Sequence, residues 1–259
     1  APEHFEQLKT LWDNASLSGG FDNKPYFFDG SVGSYVVYNS DDEVTSATIF
    51  LSARRGGRLL YALDVTDPTA PLIKWRKSST DDGYTELGQT WSKPVVTKVK
   101  VGSQDKIVLI MGLGYDPDAD DDAGARSQGR GVMVLDAVTG EDIWQVTSGS
   151  VSSPAGKVLS EANMIYSVPS DLAVVDRDGN GYSDRIYFGD TGGQLWRLDI
   201  ASTDVDDWKA TRLFAFASSE QRFLNSPDVV ESPDGSYDMV IIGSGNREKP
   251  IDTSVQNYM

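Results

Sequence analysis

Leu59-Leu60-Tyr61-Ala62-Leu63-Asp64-Val65, followed by Trp75, is the stretch on which the fold turns. Two similar stretches lie further along. Val132-Met133-Val134-Leu135-Asp136-Ala137 precedes Trp144, and Gln194-Leu195-Trp196-Arg197-Leu198-Asp199-Ile200 precedes Trp208. Each is an apolar run ending in Leu-Asp, then a short turn, then a Trp 8 to 11 residues after the Asp. Asp64, Asp136 and Asp199 stand 72 and 63 residues apart, so the pattern is a long repeat rather than a local accident.

An apolar run ending in glycine precedes each copy, at residues 47–57, 106–114 and 185–193, with a fourth at 239–245. Before these come runs opened by Ser or Pro at 92–96, 167–169 and 226–230, and Phe27 to Ser31 occupies the same place in the first copy. The unit is strand, strand, glycine turn, strand, Leu-Asp turn, strand with Trp. Four strands in roughly 60–70 residues, repeated, describe the blade of a β-propeller. The expected blades are 25–80, 90–150 and 164–213, with half a blade over 222–259. The Trp is expected to fill the wedge between neighbouring blades, and the Asp to hold the backbone of its own turn. About three and a half blades cannot close a ring, so further blades are expected from elsewhere in a parent chain or from another chain. Ahead of them, residues 1–24 read as a lead-in. Phe5, Leu8, Leu11 and Trp12 fall at helical spacing within 3–13, and Gly19 and Gly20 read as the stop.

Composition narrows the chemistry. The 259 residues carry 39 acidic and 23 basic side chains, a net charge of −16, which repels phosphate backbones and argues against nucleic acid as a partner. Cysteine is absent, which excludes thiol catalysis and disulfide staples, and His4 is the only histidine, which leaves no basis for a Ser-His pair or a histidine-rich zinc site. No apolar stretch has the length of a transmembrane helix. The chain opens at Ala1 without a Met or a signal-peptide pattern and is read as a mature or excised piece.

One motif carries chemistry. Asp176-Arg177-Asp178-Gly179-Asn180-Gly181-Tyr182-Ser183-Asp184 places oxygen-bearing side chains at loop positions 1, 3, 5 and 9, and Tyr182 at position 7 can offer its carbonyl. Gly181 stands at position 6, where a calcium loop needs a sharp turn. Position 12 is Tyr187 rather than Glu, and the flanks 173–175 and 186–188 read as strands. The expectation is a Ca2+ loop within a β-hairpin, with ligands Asp176, Asp178, Asn180, Tyr182 and Asp184. The run Asp116-Pro117-Asp118-Ala119-Asp120-Asp121-Asp122 has irregular spacing and reads as a solvated loop, a weak second cation site being the alternative. Arg54, Arg55 and Arg58 form the one basic cluster, either paired with acidic loops or solvated. No residue set points to catalysis.

Three stretches resemble the C-terminal calcium-binding β-propeller of the PilY-type pilus-tip proteins: residues 54–68 with 87–94, the loop running from Asp176 into 189–199, and 243–250 with Tyr258-Met259. Residues 135–144 are also similar to the tryptophan-docking repeat of quinoprotein dehydrogenases, and the loop is similar to the cation loops of integrin-α propellers. The PilY resemblance implies a quinoprotein-like all-β propeller that is not an enzyme. It implies a role in type IV pilus assembly at the pilus tip, the outer membrane or the periplasm. Minor pilins and the assembly machinery would be partners, with adhesion to host or abiotic surfaces. It further implies that calcium helps set the balance of extension and retraction that drives twitching motility. The family often carries Asp where this chain has Asn180, one charge fewer. A generic integrin-like calcium propeller with another extracellular protein or glycan ligand, and a fragment of a quinone-dependent dehydrogenase, are the competing readings.

Overall fold

The computed structural model describes residues 4–13, 24–120, 122–151, 156–218 and 220–259. Gly19, Gly20 and Asp121 lie outside these residues, as does Glu3 at the start of the expected helix. Helix α1 spans Phe5–Trp12. Its apolar side chains stay largely exposed, Trp12 at 90%. The anchor is His4, whose buried ring meets the Gly56 carbonyl at 2.8 Å and stands edge-on to Phe27 and Phe28.

Fifteen strands form four sheets among the described residues. The first holds β1 (Val32–Tyr38), β2 (Val44–Ser52), β3 (Leu59–Asp64) and β4 (Leu72–Ser78), each antiparallel to the next. The second holds β5 (Val95–Val101), β6 (Gln104–Gly112), β7 (Gly131–Asp136) and β8 (Asp142–Thr147) in the same order, and β9 (Lys157–Ser160) adds parallel to β8. The third holds β10 (Ala173–Val175), β11 (Arg185–Gly189), β12 (Gln194–Asp199) and β13 (Lys209–Ala215). The last is the pair β14 (Asp228–Glu231) and β15 (Asp238–Ile241). The opening strand of the first sheet is 32–38 rather than 27–31. The segment 167–169 contributes only a single bridge, from Val168 to Gly114. In both places Pro or Gly interrupts the ladder, and the chain pairs where the alternating run begins.

The core lies between sheets rather than within them. Phe50, Leu60, Ala62 and Trp75 of the first sheet pack on Leu109, Met111, Met133 and Leu135 of the second. Val108, Ile110, Val134 and Trp144 of the second pack on Ile186, Phe188, Trp196 and Leu198 of the third. The apolar runs in β6 and β7 therefore read as nearly continuous because both faces of the sheet are covered.

The repeat is imperfect in an informative way. A bulge precedes the Leu-Asp pair in β3 and β7, and the residue just before it pairs with Trp75 in one sheet and Trp144 in the other. Trp75 then reaches across and donates from Nε1 to the Ala137 carbonyl of the second sheet, 3.2 Å away. The wedge expectation holds, with Trp75 between the first and second sheets and both Trp144 and Trp208 between the second and third. Trp208 has similar spacing but lies ahead of β13, packs back on Trp144 with ring centroids 5.7 Å apart, and donates to the Ser202 carbonyl. The bulge in the third sheet has moved to Leu195/Trp196, which shifts the register. Asp64 and Asp136 accept from their own turn backbones, as expected, whereas Asp199 binds Arg185 and Arg197 instead.

The turn after each second strand is also repeated. Ala53, Leu113 and Asp190 donate their N–H to the carbonyls of Leu59, Gly131 and Gln194, the residues that open the third strands. In the last unit Ser244 donates in the same way to Tyr258, 2.7 Å away. Tyr258 thus takes the place of a third-strand opener.

Candidate metal centre

The loop from Asp176 to Asp184 is the connection of the β10–β11 hairpin, so the expected strand–loop–strand context is present. Its shape follows from its residues. Gly179 and Gly181 adopt φ of +70° and +88°, a region costly for any residue with a Cβ. These turns fold three backbone N–H groups onto Asp176: Gly179 and Asn180 donate to Oδ1 at 2.9 and 3.2 Å, and Gly181 to Oδ2 at 2.7 Å. Asp184, at the far end, accepts from the Arg177 N–H at 2.7 Å and so ties the two ends of the loop together.

Oxygens of Asp176, Asp178 and Asp184 come within 4.8 Å of one another. Asn180 lies against this cluster, donating from Nδ2 to Asp178 Oδ2 at 2.8 Å and accepting the Tyr182 N–H at Oδ1. The Tyr182 side chain points away from the carboxylates: its hydroxyl bonds Asp105, which pushes its titration upward, and its ring receives Lys100 at 5.7 Å. The donor set is all oxygen. Two oxygens on one Ca2+ lie at most about 5 Å apart, given metal–oxygen distances of about 2.3–2.6 Å, so these separations suit that ion. Three carboxylates in so small a space repel one another unless a cation lies between them.

The loop is clasped to both neighbouring sheets. On one side, Ser183 donates its N–H to the Lys98 carbonyl at 2.8 Å, and its hydroxyl meets Thr97 at 2.7 Å. On the other, the Arg177 Nε donates to Asp238 at 3.0 Å, and its Nη2 to the Gly235 carbonyl. Asp238 also accepts from Arg185 and Tyr187. Burial pushes the Asp238 carboxyl up, but the hydrogen bonds from Tyr187, Arg185 and Arg177 together outweigh it and hold the pKa down at about 2. No sequence pattern pointed to Asp238 or Ser183, because each acts across more than 50 residues.

The other acidic run has a structural use. Asp116 is buried and accepts from Asp118, from the Ser127 N–H and from the Ser127 hydroxyl, and Asp122 pairs with Arg126 at 3.0 Å. The solvated-loop reading therefore fails for Asp116, whose carboxylate is tied to Ser127. Among the described residues this run does not gather three carboxylates. Of the basic cluster, Arg55 pairs with Asp29 at 2.7 Å, and Arg54 lies 4.2 Å over the Trp91 ring.

The family model of the PilY1 β-propeller domain matches residues 3–232. The chain belongs to this PilY1 family. A Xylella fastidiosa protein named as a type IV pilus biogenesis factor PilY1 homolog is 31% identical over 157 residues, 59% of this chain and 10% of that protein. The Pseudomonas aeruginosa type IV pilus biogenesis factor PilY1 is 31% identical over 153 residues, 59% of this chain and 11% of that protein. The chain thus spans about a tenth of these relatives. The crystal structure of the P. aeruginosa PilY1 C-terminal domain superposes with a TM-score of 0.60 and 23% identity, over 88% of this chain and 47% of that one. It shares the fold, which makes the sheets blades of a PilY1-type β-propeller. The acidic loop 176–184 lies inside the span matched by the PilY1 family model.

Proposed function

We propose that this chain is a calcium-binding propeller segment of a type IV pilus biogenesis factor, working at the cell surface or in the periplasm. Its partners would be minor pilins and the pilus assembly machinery, and its role would be to adjust pilus extension, retraction and surface adhesion. The observation that carries the reading is the convergence of Asp176, Asp178 and Asp184 on a hairpin clasped to both neighbouring blades.

A bound Ca2+ supplies positive charge that offsets the three carboxylates. Asp176 and Asp178 anchor the start of the loop, and Asp184 closes its end against the Arg177 N–H. Arg177 carries the loop's position to Asp238 in the last blade, and Ser183 carries it to β5. A loop loosened by carboxylate repulsion would slacken both clasps, so the surface offered to a pilus partner changes with calcium.

Calorimetric titration of the metal-free chain with CaCl2 tests this. One site is expected in the native chain and none in Asp176→Ala or Asp184→Ala. Unchanged binding in both variants defeats the assignment. A strain whose pilus factor carries Asp184→Ala at this loop should also show altered twitching, and normal twitching there would separate a metal site from a regulatory one.

A further inference from the structure

Where the four blades converge, a cavity of about 460 Å3 is lined by Arg54, Trp91, Tyr115, Asp171, Arg247 and Glu248, among others. Its residues come from two recurring places: the approach to a first strand, as with Trp91 and Asp171, and the exit of a second strand, as with Arg54, Tyr115 and Arg247. The Trp91 and Tyr115 rings meet at 5.6 Å and make an aromatic corner.

The charges in this cavity are unevenly satisfied. Asp171 accepts the Lys93 N–H at 2.6 Å. Glu248 faces Arg222, whose Nη1 is 3.8 Å away. Arg222 is itself almost wholly buried, with Nε and Nη1 lacking hydrogen-bond partners. Among the described residues, neither Arg54 nor Arg247 has an ion-pair partner. The two carboxylates of the cavity are thus turned to other partners, Asp171 to the Lys93 N–H and Glu248 to Arg222, and the two arginines share the cavity with them without pairing.

Arg54 is also held in an unfavourable shape. Its φ is +51°, the left-handed region, which costs a residue with a side chain about 1 kcal/mol or more. Thr90 Oγ1 holds the turn by accepting the N–H groups of Ala53 and Arg54 at 2.8 and 3.2 Å. The result lays the guanidinium on the Trp91 face, 4.2 Å from the ring centre. A guanidinium stacked by its face keeps its N–H fork in plane, where it meets a carboxylate or phosphate with two parallel hydrogen bonds.

We propose that this cavity binds a small organic oxyanion, an aromatic body carrying a carboxylate or phosphate group. Arg54 and Arg247 grip the charged group, and the Trp91–Tyr115 corner receives the body. The site is separate from the metal loop and does not depend on calcium.

The test is calorimetric titration of the 259-residue chain, at low salt and without calcium, with phthalate, phenyl phosphate and inorganic phosphate. Saturable binding of phthalate or phenyl phosphate is expected, the tighter of the two assigning the oxyanion. Arg54→Gln and Arg247→Gln, each checked for a native circular-dichroism spectrum, should weaken it about tenfold or more, as loss of a charge-assisted hydrogen bond does. Arg55→Gln, whose guanidinium is held outside the cavity by Asp29, should bind as the native chain does. Binding of neither aromatic ligand, or equal binding by the Arg247→Gln variant, overturns the site. Inorganic phosphate binding as tightly as phenyl phosphate overturns the role of the aromatic corner.

Discussion

Replacing Asp238 by Asn should release the last blade from the loop 176–184. The side chain of Asp238 is only 3% exposed and accepts from Arg177 Nε at 3.0 Å, Arg185 Nη1 at 2.6 Å and Tyr187 Oη at 2.5 Å. Its carboxyl titrates near 2 rather than 3.8, a displacement worth about 2 kcal/mol at neutral pH. Asn keeps the volume but removes the charge, leaving two arginines facing each other. Both arginine side chains are about a quarter exposed, so water softens the loss below the full figure for a buried pair. The expected cost is about 2–3 kcal/mol, or a fall in Tm of about 5–10 °C for a chain of this size. Because the folded carboxyl is the stronger acid, the folded state holds fewer protons than the unfolded chain between those two pKa values. The contribution is therefore complete above about pH 4 and fades as the pH falls toward 2. Thermal unfolding by circular dichroism reads the global change, and amide hydrogen exchange over β14 and β15 reads the local one. A variant with unchanged Tm and unchanged exchange in those strands would refute the clasp.

The remaining predictions concern the loop and the core. Chelating calcium from a sample held at 100 times the dissociation constant should remove about 2.7 kcal/mol of stability, a fall of about 5–10 °C in Tm. Asp178→Asn should show little of this difference between loaded and chelated samples. Gly181→Ala should lower calcium affinity about fivefold: the added Cβ has nothing within 4 Å to strike, so the whole effect of about 1 kcal/mol is backbone strain at φ +88°, measurable by titration. Trp144→Ala should cost about 3–5 kcal/mol in urea unfolding, since its ring is 1% exposed and fills the space between the second and third blades against Trp208.

The sequence alone determined the repeat, the all-β class and the loop. These are local properties: a strand covered on both faces reads as an apolar run, a Leu-Asp turn has its own hydrogen bonds, and the acidic hairpin loop spaces its oxygens within nine residues. Trp208 marks the limit of such reasoning. Its spacing matched Trp75 and Trp144, but a bulge displaced to Leu195/Trp196 changed the register of β13, and spacing cannot report a bulge. The acidic run at 116–122 shows the same limit, since only packing buried Asp116 beneath Ser127. Tertiary structure decided which acid among 39 answers Arg177, and it brought Arg54 and Arg247 into one cavity from positions 193 residues apart. The reason is that a charge selects its partner by distance and burial in space, which a linear order of residues does not encode.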